Sequence, residues 1–227
     1  KNETRSDTSD MMRRMVKESL YTFEGEPLFP KRYAETVDYP LSEREQELYD
    51  AVTDYVREEF NRADKLKNDG RKNTIGFALT VLQRRLASSP LAIYSSLKNR
   101  RKRLEIRLQD AEKQRRDKLE LDFPLLTDED VDDYEDKPAD ELDKAVESLV
   151  DKATASSTLS ELRAEIESLK SLEKMAEQLY RSGEDRKWIE FRDLFESDKI
   201  GLSRDSAKHA KLVIFTEHLQ TLGYLYQ

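Results

Sequence analysis

The sequence predicts a mainly α chain of long, solvated helices, with an antiparallel helical hairpin and at most two short strands. Three observations predict it. Charged residues make up 39% of the 227, only six glycines and six prolines punctuate the chain, and apolar residues recur three and four apart over long stretches. The charged share exceeds the 37% apolar share, which favours amphipathic helices over a thick core.

Residues 1–9 are polar, and Met11, Met12, Met15 and Val16 then give a short helical stripe. Gly25 to Pro30 reads as a loop, and Tyr33, Glu35, Val37 and Tyr39 alternate as a short strand does. Ser42 with Glu45 makes a capping box that opens a helix whose inward face is Leu48, Val52, Tyr55, Val56, Phe60 and Ala63. A polar turn over 67–72 precedes a second helix, from about Thr74 to Ser88, which Pro90 ends because its ring excludes the residue before it from the helical region. Leu91 to about Leu121 reads as a long basic helix with a sparse stripe of Leu97, Leu104, Leu108 and Ala111.

An acidic stretch over 122–138, bounded by Pro124 and Pro138, reads as a loop or disordered connection. A short helix carrying Leu142, Ala145, Val146 and Leu149 follows, and then a small polar turn, Thr154 to Ser157. Leu159, Leu162, Ile166, Leu169, Leu172, Met175 and Leu179 mark another long helix, expected to pack antiparallel on the basic one as a coiled-coil-like arm. Trp188, Phe191, Leu194 and Phe195 form a compact aromatic helix, whose spacing favours core packing over the alternative, stacking of Trp188, Phe191 and Phe195 on bases. Leu212-Val213-Ile214-Phe215 is the clear buried-strand signal, and Thr216 onward begins a last helix.

Composition excludes several function classes. Without cysteine there are no disulfides or thiolate metal ligands, which fits a reducing cytoplasm, and His209 and His218 make no metal constellation. No apolar run approaches the ~18 residues of a membrane span, so no membrane partner is expected. Gly-rich phosphate loops, nucleophile elbows and His-Glu-x-x-His pairs are missing, and Asp132 with Asp133 lacks a cation-binding pattern. No catalytic residue, cofactor or metal is therefore assigned. The chain opens on Lys1 rather than Met, and the expectation is a trimmed, internal segment.

The net charge of −8 hides an asymmetry. Residues 71–118 hold fourteen Lys/Arg against four Asp/Glu, and residues 119–151 hold fourteen acids against two lysines. A basic block of that density can bind a phosphate chain. The plainer reading is a pair of solvated faces that screen each other.

Three collinear stretches resemble one family. Met12-Arg13-Arg14-Met15-Val16-Lys17-Glu18, with Leu28-Phe29-Pro30-Lys31-Arg32 and Leu41-Ser42-Glu43-Arg44-Glu45-Gln46-Glu47-Leu48-Tyr49 behind it, resembles the opening of the second half of Swi/Snf-type superfamily-two DNA helicases and translocases. Leu79 to Pro90 resembles the family's leucine-rich helix with its Ser-Pro break. Lys211-Leu212-Val213-Ile214-Phe215-Thr216-Glu217 is similar to helicase motif IV, with the Lys187-Trp188 helix before it. The bacterial helicases of DISARM-type phage-defence islands are the nearest variety, and the likeness covers 11–103 and 186–227 well and 104–185 poorly.

The resemblance implies an ATP-driven motor on duplex DNA, with its ATP and Mg site outside this chain. By that reading 1–96 is the interlobe segment and the start of the second lobe, 97–185 a helical insertion open to a protein partner, and 186–227 the helix and strand at motif IV of an incomplete RecA-like lobe. Candidate DNA contacts are Arg13, Arg14, Lys17, Arg84, Arg85, Arg100, Arg101, Arg103 and Thr216, each of which also reads as an ordinary helix-surface or paired charge, or in Thr216 a surface hydroxyl. Two alternatives remain open: a helical scaffold that recruits partners, and a non-specific nucleic-acid-binding module.

Overall fold

The computed structural model describes residues 15–29, 34, 36–67, 69–114, 125–127, 139–197 and 212–226. The chain divides into two compact units, Lys1–Asp38 and Tyr39–Gln227. In the first, a 3-10 turn over Lys17–Ser19 leads into a tight reversal in which Thr22 N–H donates to the Glu26 carbonyl at 2.8 Å and Leu28 N–H to the Leu20 carbonyl at 2.8 Å. Gly25 takes φ +86° at its tip, a conformation open to glycine without strain. Met15 and Val16 are exposed and outside any helix, and residues 1–14 lie outside the described set, as do Tyr33 and Glu35 of the expected strand.

The second unit is helical. It runs α1 (Glu43–Asp64), α2 (Asp69–Ser88), α3 (Pro90–Lys113), α4 (Ala139–Lys152), α5 (Leu159–Ser182), α6 (Arg186–Glu196) and α7 (Leu219–Leu225). Local chemistry fixes several ends. The capping box at Ser42 is formed in both directions, and a second one at Thr158 with Glu161 opens α5. Ser89 accepts from the Ala92 N–H and Pro90 occupies the first turn of α3, where no backbone donor is needed. Gly183 closes α5 at φ +70°.

α3 and α5 make the most extensive helix contact and run antiparallel. Numbers rise on one as they fall on the other: Tyr94 stacks on Tyr180, Arg101 meets Glu173, Glu105 meets Lys170 and Glu112 meets Arg163. This pair does not project as an arm. Leu97 and Leu104 of α3 and Leu162, Leu169 and Leu172 of α5 belong to one buried cluster with Leu48 and Val52 of α1 and Ile75 and Leu82 of α2. α4 completes it with Val146 and Val150. The division expected between residues 96 and 97 falls inside α3, which serves the same core on both sides of it.

Two expectations are corrected, and a third, the far end of α3, lies outside the described residues. α2 begins at Asp69, so most of the expected turn over 67–72 is helical. The cause is tertiary: Arg71 reaches from the first turn to the Thr154 and Ser156 carbonyls at 3.0 and 2.9 Å. α3 is described to Lys113 rather than Leu121; residues 115–124 lie outside the described set, like 128–138 of the acidic stretch. No strand or sheet forms among the described residues, and Leu212, Val213, Ile214 and Phe215 are all exposed, because no neighbouring strand among those residues takes their backbone.

Truncation separates the core from this surface. Leu169→Ala, at a wholly buried position on the α3–α5 seam, should lower unfolding free energy by about 2–5 kcal/mol in a urea titration. Leu219→Ala, half exposed on α7, should change it by less than about 0.5 kcal/mol. Equal losses would contradict the assignment of the core.

Candidate nucleic-acid interface

The helical run Lys98–Arg103 is distributed by helix geometry, since successive side chains point about 100° apart. Arg100 points inward and is 1% exposed. Its Nε donates to the Tyr55 hydroxyl at 2.9 Å, its Nη2 pairs with Glu165 Oε1 at 2.9 Å, and its Nη1 donates to the Val150 carbonyl. Glu165 is saturated: Oε1 also accepts from Tyr55 at 3.0 Å, and Oε2 accepts from Thr154 and from Ser156. Burial alone would push the Arg100 guanidinium down, but Tyr55 and Glu165 beside it hold it above its ordinary value. Burial likewise drives the Tyr55 phenol well up, so it stays a hydrogen-bond donor.

Arg101 points sideways and is bound to Glu173 across the seam and to Glu105 one turn along α3. Its hydrogen bond to Glu173 is the main reason its guanidinium sits above its ordinary value. Arg103 is exposed and, with Lys102 and Asn99, forms one wall of a groove of about 520 Å³ whose other wall is Glu147, Ser148 and Asp151 of α4. Arg85 is as buried as Arg100 and donates to the Ser96 hydroxyl at 2.7 Å, which itself donates to the Ala92 carbonyl. Arg85 and Arg100 are thus occupied inside the protein, out of reach of a phosphate in this conformation.

The other candidates lie on the surface. Lys17, in the first unit, is exposed with its Nζ 5.4 Å from the Phe29 ring centroid, and Arg13 and Arg14 fall outside the described residues. Arg84, near the end of α2, reaches Glu217 at 3.4 Å, which brings it beside the half-buried Thr216.

These two belong to a junction built where α2 breaks into α3. The break needs Ser89 as cap, and its hydroxyl and that of Ser88 both meet Thr221 Oγ1 of α7, at 2.9 and 2.6 Å. Lys187, in the first turn of α6, donates to the Ala87 carbonyl at 3.0 Å, and Asp185 caps α6 on the Trp188 N–H at 2.8 Å. A cavity of about 150 Å³ opens between Ser88, Ser89, Lys187, Trp188, Thr216 and Thr221. The hydroxyls of Ser88, Ser89, Thr216 and Thr221 and the Lys187 ammonium share this cavity with the Asp185 carboxylate and with apolar walls from Trp188, Phe191, Ile214 and Phe215.

Ser88, Ser89 and Lys187 entered the sequence reading only inside stretches of family resemblance, and Thr221 was not singled out at all. Among the described residues no group of three or more His, Asp or Glu side chains could hold a metal ion, and no helix is long and apolar enough to cross a membrane.

Thr221→Val should strip two serines of a shared partner and cost about 1–3 kcal/mol, with amide protection lost first in α7. Unchanged stability and exchange would refute the hydroxyl clasp. Set against known proteins, the chain matches no family model, no curated protein and no solved structure.

Proposed function

We propose that the chain is part of an ATP-dependent DNA helicase or translocase of Swi/Snf type, contributing the helices between two motor lobes and the opening strand of the second, incomplete RecA-like lobe. One observation carries the reading. Three segments that resemble the family and are far apart in sequence, Leu79–Pro90, Lys187-Trp188 and the motif IV stretch ending in Thr216-Glu217, meet around a single cavity. A resemblance arising by chance gives no reason for its pieces to converge.

The apolar run supports it too. Leu212 to Phe215 is apolar on both faces, the pattern of a strand covered on both sides in a parallel sheet, and here it stands uncovered. By this reading ATP and Mg bind elsewhere in the whole protein, duplex DNA is its partner, and the cytoplasm its location. The DNA-facing set of the helical unit becomes Arg84, Arg103 and Thr216, with Lys17, Arg13 and Arg14 kept on resemblance alone. Arg85 and Arg100 leave it because they are buried, and Arg101 because two carboxylates hold it.

The chain by itself should hydrolyse no ATP and bind duplex DNA weakly, with affinity falling steeply as salt rises. Replacing Arg84 and Arg103 together by Ala should reduce the slope of log affinity against log salt by about 2, roughly one per lost phosphate contact. A mobility-shift titration that finds salt-tolerant, sequence-specific binding, or an unchanged slope, counts against the proposal.

A further inference from the structure

Beside the saturated Arg100–Glu165 pair lies a carboxylate that the fold leaves incompletely served. Glu59 sits on the inward face of α1, one turn beyond Tyr55, and is 2% exposed. Its Oε2 is buried without a hydrogen-bond partner. Arg62 Nη1 stands 2.8 Å from Oε1, buried like it although the rest of the Arg62 side chain is one-third exposed, yet off any hydrogen-bond axis. The groups facing Glu59 are Glu58 and Arg62 on α1 itself, Arg100 from α3 and Glu165 from α5. Tyr55 lies between them and feels Glu59 as well. Arg100 is already balanced by Glu165, so Arg62 alone stands against the Glu59 charge, and Oε2 receives no hydrogen bond.

We propose that Glu59 is a proton-operated latch between α1 and the α3–α5 core. With its proton it lies in the seam as a neutral acid. Without it, Glu59 repels Glu165 and draws water between α1 and α5, loosening α1 from the core. This inference stands on the buried cluster alone and is independent of the motor reading.

Its sign follows from linkage. Burial first, and then the charge of Glu165, lifts the folded-state carboxyl to about 7 from its ordinary 4.5. Between those values the folded chain holds a proton that the unfolded chain has lost, so stability falls as pH rises through the window. One such group weakens the folding equilibrium by up to roughly tenfold per pH unit there. Asp151, lifted to about 6 by burial and then by Glu147, adds to the same fall. The difference between wild type and Glu59→Gln therefore isolates the latch.

The test is thermal and urea unfolding of wild type and Glu59→Gln from about pH 5 to about pH 8.5. The Gln variant should show the shallower pH dependence and be the more stable of the two at the alkaline end. Parallel curves overturn the latch. Should the variant not fold, the ¹³C shift of the Glu59 carboxyl in the wild-type protein decides. A midpoint near 7 supports the proposal, and one close to the ordinary 4.5 overturns it.

Discussion

A guanidinium buried without a counter-charge costs several kcal/mol, and this constraint at Arg100 organises the helical unit. Its acceptors come from three places: Tyr55 on α1, the Val150 carbonyl in α4 and Glu165 on α5. Glu165 in turn holds the turn between α4 and α5 through Thr154 and Ser156, and Arg71 of α2 holds the carbonyls of the same turn. All five long helices are thus tied to one charge pair. Hydrophobic burial drives their association, but a sliding of α5 along α3 by one turn would keep the leucines covered and leave Arg100 unpaired. The pair selects the register.

The same geometry sorts the basic block. As a string, residues 98–103 carry five basic side chains, which the helical turn points in several directions. Folded, Arg100 is spent on the interior, Arg101 on Glu173 and Glu105, and Lys102 and Arg103 face a groove. A second collection of polar groups lies at the α2–α3 break, where Lys187 and Thr216 line one cavity and Arg84 is held to Glu217, the neighbour of Thr216. The proposed DNA-facing surface rests on that junction more than on the density of charge in α3.

Much of the helical scaffold was legible because local signals and burial agree. Ser42 with Glu45, Pro90, and the stripe from Leu159 to Leu179 each set an element that the fold adopts. The start of α2 was missed because Arg71 is anchored by a turn more than eighty residues away, which no local pattern encodes. The turn itself was read only as small and polar, yet Thr154 and Ser156 are wholly buried as donors to Glu165. A signal was present. Glu59, Arg85, Arg100 and Glu165 all fall in the apolar register of their helices, three or four residues from Val56, Leu82, Leu97 and Leu162. Charged residues of both signs in inward positions announce a buried network before any coordinates are known. The Leu212–Phe215 run shows the opposite failure, for its apolarity describes a burial that the described residues do not provide.

The functional reading depends on this architecture being held in one register, because only then do segments remote in sequence meet at the junction. A double-mutant cycle between Arg100→Met and Glu165→Leu, read by urea unfolding, tests it most directly. Each single change should cost about 3–5 kcal/mol by stranding the other charge, and the double variant should recover much of that loss, giving a coupling of at least about 2 kcal/mol. Additive losses with a coupling near zero would show that the pair does not hold the helices in place.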